Sequence, residues 1–498
     1  MCARVCVRFI CCLLLCWWYA AAHAQEKVMT IACNLGAKAQ ALPIKDKTSG
    51  NYTLVANDRG KLYVWRMGDN FALANIYEIP LNPEHRNGNL IGGMQKEGTL
   101  WAYLVKANRD LTMLTLNVDS GDYKVRTLSF MEPTDHVLKT FTLGSTFWLL
   151  AVSETQKGLV AYRSTDGGAF TRAVLNIGGL GAKPAEFSLF HYLADRYKDL
   201  AEVPEIVDEA ENPPSLTWHP FKIYPKEDKI TLTLDGDGAT RIVTIGTADL
   251  ALQTETVRYP KVETDAAWKK GNGNSLIVHG LLYQVVAGMQ ELHLRVFDAG
   301  NLELIKNLSA KSGRDIDFRN GPIFDYERIK DGGSQAPRLL KTSAEFYKRL
   351  AEQQIALSVD DGFERTHLVT VAAVKSTLKG PGVKAGSLPT DNVDPEGGVV
   401  RENKSSFEPY AYQQPAYRSF ALRAPRQTTL FKTLLDAGTL DNLREEVPNS
   451  ALEKVSNFER SMTGLRAQTF INTGWGYVLG YYNPATGAYV LVSFTEGE

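Results

Sequence analysis

Short runs of alternating apolar and polar residues, broken by turns built on Asp, Asn and Gly, recur along the chain from about residue 27 to its end. In LTMLTLNV (111–118), Leu111, Met113, Thr115 and Asn117 share one parity, and Thr112, Leu114, Leu116 and Val118 share the other. That is the two-residue period of a β-strand. The breaks are Ser120-Gly121, Asp166-Gly167-Gly168, Asp235-Gly236-Asp237-Gly238, Asp298-Ala299-Gly300 and Asn483-Pro484-Ala485-Thr486-Gly487. Glycine tolerates the positive φ a tight hairpin needs, and Asp or Asn bonds its own backbone there. The pattern predicts a mostly-β chain.

The runs are organised in a larger unit: Gly, an aromatic and β-branched run, a polar turn, a second alternating run, and a turn on Asp or Gly. It reads GKLYVWRMGDNFALANIYEI (60–79), GTLWAYLVKANRDLTMLTLNVDSGDYKVRTLSF (98–130), STFWLLAVSETQKGLVAYRSTDGGAFTRAVL (145–175), GLLYQVVAGMQELHLRVFDAGNLELIKNL (280–308) and GWGYVLGYYNPATGAYVLVSF (474–494). Short antiparallel strands in units of about 40 to 50 residues are the signature of propeller blades. The chain thus resembles a β-propeller in general, without a WD dipeptide or a kelch Gly-Gly series. Units are placed at 49–84, 88–131, 136–178, 218–262, 263–309, 353–376 with 415–440, and 463–496, about seven blades, with six or eight also compatible. A ring must pair its ends to remove an exposed edge, so KVMTIAC (27–33) is expected in one sheet with 463–496.

Insertions are expected at 179–217, 310–352 and 376–414. In the first, PAEFSLFHYLADRYKDL (184–200) has helical spacing and leads into the acidic loop EIVDEAENPP (205–214). A second helix is expected after the capping box Thr342-x-x-Glu345, and a third over 451–462, capped by Ser450 with Glu453. Residues 376–414, rich in Gly, Pro, Ser and Asp, have no period and read as a long loop.

Residues 1–24 have the form of an export signal: Arg4 and Arg8, the apolar run Phe9 to Tyr19, and the small-x-small site Ala22-His23-Ala24 before Gln25. The run is too short for a spanning helix, and no later segment reaches about 20 consecutive apolar residues. The chain is therefore read as exported, periplasmic or extracellular, with one β-propeller domain over 25–498. Cys2, Cys6, Cys11, Cys12 and Cys16 leave with the signal and only Cys33 stays, so the mature chain relies on core burial and not on an internal disulfide. Loss of Arg4 and Arg8 leaves 53 basic against 56 acidic residues, with no basic stretch of the kind that binds nucleic acid. Sequons stand at Asn51, Asn307 and Asn403.

Strong catalytic signatures are missing from the sequence: there is no G-x-S-x-G, H-E-x-x-H, G-x-x-x-x-G-K-[ST] or C-x-x-C. Asp235 and Asp237, Asp315 and Asp317, and Asp391, Asp394 and Glu396 could offer oxygen ligands to calcium. The first pair departs from an EF-hand loop, with Ala239 at its third ligand position and no Glu at its twelfth, and all three sets read as solvated turns. His85, His136, His191, His219, His279, His293 and His367 are scattered, so neither a metal nor a cofactor is expected.

Aromatic residues form the candidate ligand site. Trp475 lies among tyrosines and glycines in 474–489, and Tyr410, Tyr412 and Tyr417 stand with Arg418 in EPYAYQQPAYRSF (408–420). Aromatic faces beside a polar rim suit a carbohydrate or peptide, and Arg418 suits a carboxylate. Aromatics at strand period also fill the space between blades, which covers Trp475 better than the loop residues Tyr410 and Tyr412.

Ser164-Thr165-Asp166-Gly167-Gly168 resembles the Asp-box turn of sialidase-type propellers, S-x-D-x-G-x-x-aromatic, except that Phe170 comes one residue early and Thr171 takes the aromatic position. In families that carry it the box joins outer strands away from the active site, so the resemblance implies a blade hairpin and not sugar chemistry. The expected function is a non-enzymatic binding or scaffold module for a protein or glycan partner, and the alternative is a secreted glycan-active hydrolase or lyase. Expressed in a secretory host, the protein is expected to begin at Gln25 by N-terminal sequencing; recovery of a chain starting at Met1 would contradict the export signal.

Overall fold

The computed structural model describes residues 25–58, 60–86, 88–106, 110–175, 193, 203–208, 211–262, 272–327, 337–361, 365–375, 427–447, 450–462, 464–474 and 476–495. They form a seven-bladed β-propeller of six four-stranded sheets and one five-stranded sheet. The first blade consists of β2 (Gln40–Lys45), β3 (Tyr52–Asp58), β4 (Lys61–Met67) and β5 (Leu73–Pro80). The second is β6 (Asn89–Lys96) to β9 (Tyr123–Leu128), the third β10 (Asp135–Leu143) to β13 (Thr171–Leu175), the fourth β14 (Phe221–Pro225) to β17 (Leu252–Arg258), and the fifth β18 (Asn272–Val278) to β21 (Leu304–Lys311). Each starts with its innermost strand. The first unit was expected from residue 49; the structure adds β2.

The sixth blade is assembled out of order. Its inner strands β24 (Gln354–Asp360), β25 (Thr366–Lys375) and β26 (Gln427–Asp436) are followed outward by β22 (Phe324–Glu327) and β23 (Arg338–Leu339), which come earlier in the chain. Asp325 of β22 ties this outer edge down: it accepts from Arg349 Nη1 at 2.6 Å, Gln427 Nε2 at 3.0 Å and Thr429 Oγ1 at 3.0 Å. Burial alone would raise its pKa, but the Arg349 and Thr429 bonds outweigh burial and hold it below the usual carboxylate value.

The seventh blade closes the ring. It orders β27 (Arg466–Asn472), β28 (Gly476–Asn483), β29 (Ala488–Thr495) and, outermost, β1 (Gln25–Ala32). The register runs from Gln25 opposite Phe494 to Ala32 opposite Ala488, with a bulge between Lys27 and Met29. The expected pairing of the two chain ends is present.

Alternation in this fold separates two neighbours and not core from solvent. In β8 (Leu111–Asn117) and the residue after it, Leu111 and Met113 pack in the cluster between the second and third blades, while Leu114, Leu116 and Val118 pack in the cluster between the first and second. Both faces are therefore apolar, and the core is a circle of clusters between blades. Inner strands are also linked by polar contacts: Thr140 and Thr142 of β10 donate to the Ile91 and Gly93 carbonyls of β6 at 2.6 and 2.7 Å.

A turn motif repeats beneath the sequence variation. GTADL (246–250), DAGNL (298–302) and DAGTL (436–440) each follow the third strand of a blade, and the Leu N–H donates to the first residue's carbonyl at 3.0, 2.9 and 2.8 Å. The Leu takes φ 58°, 58° and 56°. The second residue donates to the turn between the blade's first two strands, at Asp228, Gly280 and Arg365.

Three helices are described. α1 (Pro214–Thr217) is one turn. In α2 (Ser343–Glu352) the Thr342 side chain accepts from Glu345 N, and Phe346, Tyr347 and Leu350 are buried against the cluster of the fifth and sixth blades. α3 (Ala451–Ser461) carries both halves of the Ser450/Glu453 capping box and packs Leu452 and Val455 on the seventh blade. Both helices start at the expected caps, but the reciprocal box is complete only at Ser450/Glu453, and at Thr342 only the bond from Glu345 N is made. The helix expected over 184–200 and the loop expected over 376–414 lie outside the described residues, apart from Leu193, as does the segment 1–24.

Ile31 is 3% exposed in the cluster between the last and first blades, whereas Thr30 is exposed. Ile31→Ala is expected to cost about 2–5 kcal/mol and Thr30→Ala less than about 0.5 kcal/mol, measured by denaturant unfolding; equal effects would mean that β1 does not close the ring.

Candidate functional site on the ring axis

The described part of the first insertion does not stay on the surface. One edge of β14 is bonded to β15 (Lys229–Gly236), and its other edge faces the axis. There Ile206 N donates to the Ile223 carbonyl at 2.8 Å and Ile223 N donates to the Pro204 carbonyl at 3.0 Å, so Glu205 pairs in parallel with Ile223. Residues 204–206 thus add a single parallel β-bridge inside the ring. Glu205 reaches Lys139 Nζ of β10 at 3.4 Å, and Ile206, 2% exposed, enters the cluster of the fifth and sixth blades.

The segment then meets three more blades. Asp208 accepts from the His279 N–H at 2.7 Å and from Lys226 Nζ at 2.6 Å. Asn212 closes the turn through Val207, accepting from its N–H at 3.3 Å and donating to its carbonyl at 2.9 Å. Glu211 N donates to the Tyr477 hydroxyl of β28 at 2.9 Å, and Glu211 Oε1 accepts from Ser358 Oγ of β24 at 3.4 Å. After α1, Trp218 packs on Ala356, Ala372 and Val374. Residues 203–208 and 211–218 therefore touch blades three to seven from within. An ion pair between Lys47 and Glu227, in turns of the first and fourth blades, spans the face at which the inner strands end.

The electrostatics of the segment centre on Glu211. Its Oε2 is buried without a hydrogen-bond partner. Burial, and then the charge of Asp360 at the end of β24, push the carboxyl up to about 8, while the Ser450 hydroxyl acts in the opposite direction. Lys432 is held by Glu453 at 2.7 Å. Nearby, His279 Nδ1 lies 3.1 Å from Asp361 Oδ2 and stacks on His367 with ring centroids 6.2 Å apart. Burial and then His279 keep the His367 pKa below the ordinary imidazole value. The fold thus brings together two of the scattered histidines, though among the described residues no group of three His, Cys, Asp or Glu is placed to hold a metal ion.

A second polar centre joins blades four and five. Lys222 Nζ, fully buried, donates to Asp235 Oδ2 at 3.2 Å and to Asn274 Oδ1 at 2.6 Å. Asp235 also accepts from the Ser275 N–H and hydroxyl at 2.9 Å each and from Thr240 Oγ1 at 2.6 Å. Burial lowers the Lys222 pKa and the Asp235 charge opposes that shift. Here the sequence expectation is corrected: Asp235 is not a solvated turn residue but 2% exposed at the end of β15, and only Asp237, at φ 55°, occupies the turn. Asp315 is exposed as expected and bonded to Arg319 and Ser343.

The Asp-box-like stretch is the hairpin between β12 (Gly158–Ser164) and β13, the two outer strands of the third blade. Asp166 Oδ1 accepts from the Gly168 and Ala169 N–H groups at 3.0 Å each. Gly167, at φ 76°, lies so close to the Trp101 ring that a Cβ would overlap it. Phe170 stacks on Phe130 at 4.0 Å, so its early position serves packing. The candidate ligand residues Tyr410, Tyr412, Tyr417, Arg418 and Trp475, with Asp391, Asp394, Glu396 and His191, lie outside the described residues. Of the tyrosines in 474–489, Tyr482 and Tyr489 are buried between the last and first blades, and Tyr477 and Tyr481 between the seventh blade and α3. Sequence reasoning missed the destination of the acidic loop; its signal was the apolar Val203 just before that loop and Ile206 within it, both buried.

No family model matches the chain, and no curated protein sequence matches it. Among solved structures it is similar to dihydro-heme d1 dehydrogenase NirN, at 12% identity over 68% of this chain and 63% of that one, with a TM-score of 0.25. It is also similar to the WD40 domain of SCAP from fission yeast, at 9% identity over 95% of this chain and 94% of that domain, TM-score 0.30. AofleA from Arthrobotrys oligospora is 14% identical over 58% of this chain and 76% of its own, TM-score 0.26. The chain spans less than two thirds of NirN, and likenesses this distant carry no argument about what it binds or does.

Lys222→Met leaves Asp235 buried without its counter-charge, and Asp235→Asn does the converse. Each is expected to cost about 3–5 kcal/mol, and the double variant less than the sum of the two, by more than about 1 kcal/mol in a double-mutant cycle. Strict additivity in denaturant unfolding would show that the two residues act separately.

Proposed function

We propose that the mature chain is an exported binding or scaffold module that takes a protein or glycan partner on its faces or rim. The observation that carries this reading is the filled axis. A propeller's central channel is the concave place where loops from several blades can converge on a small substrate. Here that place holds the chain's own residues 203–208 and 211–218, bonded to β14, β24 and β28. What is left for a partner is the outer surface, and the aromatic and Arg418-bearing stretch 408–420 suits such a role by its composition.

The alternative, a glycan-active hydrolase or lyase, has one observation to recommend it: Glu211 and Asp360 are neighbouring carboxyls, and Glu211 holds its proton near neutrality as a general acid would. Hydrolysis of a glycoside needs its two carboxyls on either side of a sugar, about 5 to 9.5 Å apart. Glu211 instead faces the packed interior, on the very segment that fills the axis.

A glycan array run beside a glycosidase panel tests both readings, with wild type compared with Tyr410→Ala and Tyr412→Ala. The expected outcome is glycan or protein-partner binding without turnover, weakened at least about tenfold by the Tyr variants, a loss of about 1.4 kcal/mol. Turnover that is lost in Glu211→Gln would overturn the binding-module reading in favour of the enzyme.

A further inference from the structure

The groups that face the Glu211 carboxyl come from every element packed around it: Ser358 and Asp360 from β24, Lys432 from β26, Ser450 and Glu453 from α3 and its cap, and Tyr477 from β28. A carboxylate in this position would need a free cation or several N–H donors. Lys432 is paired with Glu453 and acts on Glu211 less than the Asp360 charge does, and the donors that reach the Glu211 carboxyl are hydroxyls. The surroundings are those of a neutral carboxyl. The segment that bears it is also distinct from the blades, because its bonds to the ring are added to complete blades: two backbone bonds on the free edge of β14, the Glu205–Lys139 ion pair, the contacts of Asp208, the Glu211 N–H on Tyr477, the Ser358 hydroxyl on Glu211 and the Asn274 amide on the Thr217 carbonyl. Removing them breaks no four-stranded ladder.

We propose that residues 203–208 and 211–217 are a proton-controlled plug, seated in the axis while Glu211 carries its proton and released as Glu211 ionises. The inference is independent of which partner the outer surface takes. Its direction follows from linkage. A carboxyl that is buried when seated and hydrated when released binds its proton more tightly in the seated state. Seating is therefore strongest below the ordinary carboxylate range, weakens as pH rises, and stops changing above the seated value of about 8. Within that window the released fraction grows by up to about tenfold per pH unit for the single proton. A plug built this way tightens in acid and opens the axis in neutral to mildly alkaline surroundings.

Hydrogen–deuterium exchange of the mature chain, corrected for intrinsic rates, between about pH 5 and about pH 9 reads this directly. Protection of the peptides covering 203–208 and 211–217 is expected to fall by up to about tenfold per pH unit and then level off, while β15 and β28 stay protected. Glu211→Gln, neutral at every pH, is expected to remove the slope. Asp360→Asn, which takes away the like charge, is expected to bring the levelling to lower pH, and it carries the test if Glu211→Gln does not fold by circular dichroism. A flat wild-type profile, an unchanged slope in both variants, or a parallel loss of protection in β15 and β28 would overturn the plug.

Discussion

A blade of this protein has two apolar faces and cannot bury either by itself. β8 and its flanking residue show the constraint at its simplest, with one parity of side chains owed to the blade before and the other to the blade after. Every sheet therefore needs two neighbours, and an open row of seven would leave a face of the first and of the last in water. Closure is a condition for folding and not an ornament. That is why the outermost strand of the seventh blade is β1, taken from the other end of the chain, with only Ile31 among its described side chains fully buried. Its hold is mainly the backbone ladder to β29.

Closure creates a second problem at the centre. The innermost strand of each blade has an edge with no strand beyond it, and unpaired backbone groups there face a narrow space. Around β14 the chain meets this with its own insertion, pairing Glu205 with Ile223. The same excursion brings Asp208 and Glu211 into contact with the ends of the inner strands, where His279, Lys226, Asp360 and Asp361 collect. Polar groups gathered at an axis have little water to share, so each must find a partner or give up its charge. Asp208 takes the first course, through Lys226 and a backbone N–H. Glu211 takes the second.

What the sequence made legible was local. Turns on Asp and Gly, the Thr342 cap, the Ser450/Glu453 capping box and the Asp166 hairpin depend on residues a few positions apart, and they appear where the spacing placed them. β2 escaped notice because Pro43 interrupts its apolar run, and proline is tolerated only where a strand edge is unpaired. The innermost strand supplies such an edge. The outer strands of the sixth blade were hidden for a different reason: β22 is four residues long and pairs with β26, which lies about a hundred positions later. The candidate site was less legible still. Asp235 reads as a turn residue in Asp-Gly-Asp-Gly, and its burial is decided by Lys222 and Ser275 from other strands.

The carboxyl pair on the axis shows why a shifted proton affinity is not by itself a sign of catalysis. A general acid needs its raised pKa and also a path to the atom it protonates. Glu211 has the first from burial and Asp360, and both causes exist only while the segment stays seated, because lifting it hydrates the carboxyl and separates the pair. Exposure to a substrate and retention of the proton therefore exclude one another at this residue. In the proposed plug the proton on Glu211 acts on the equilibrium between seated and released forms, and its consequence there is mechanical.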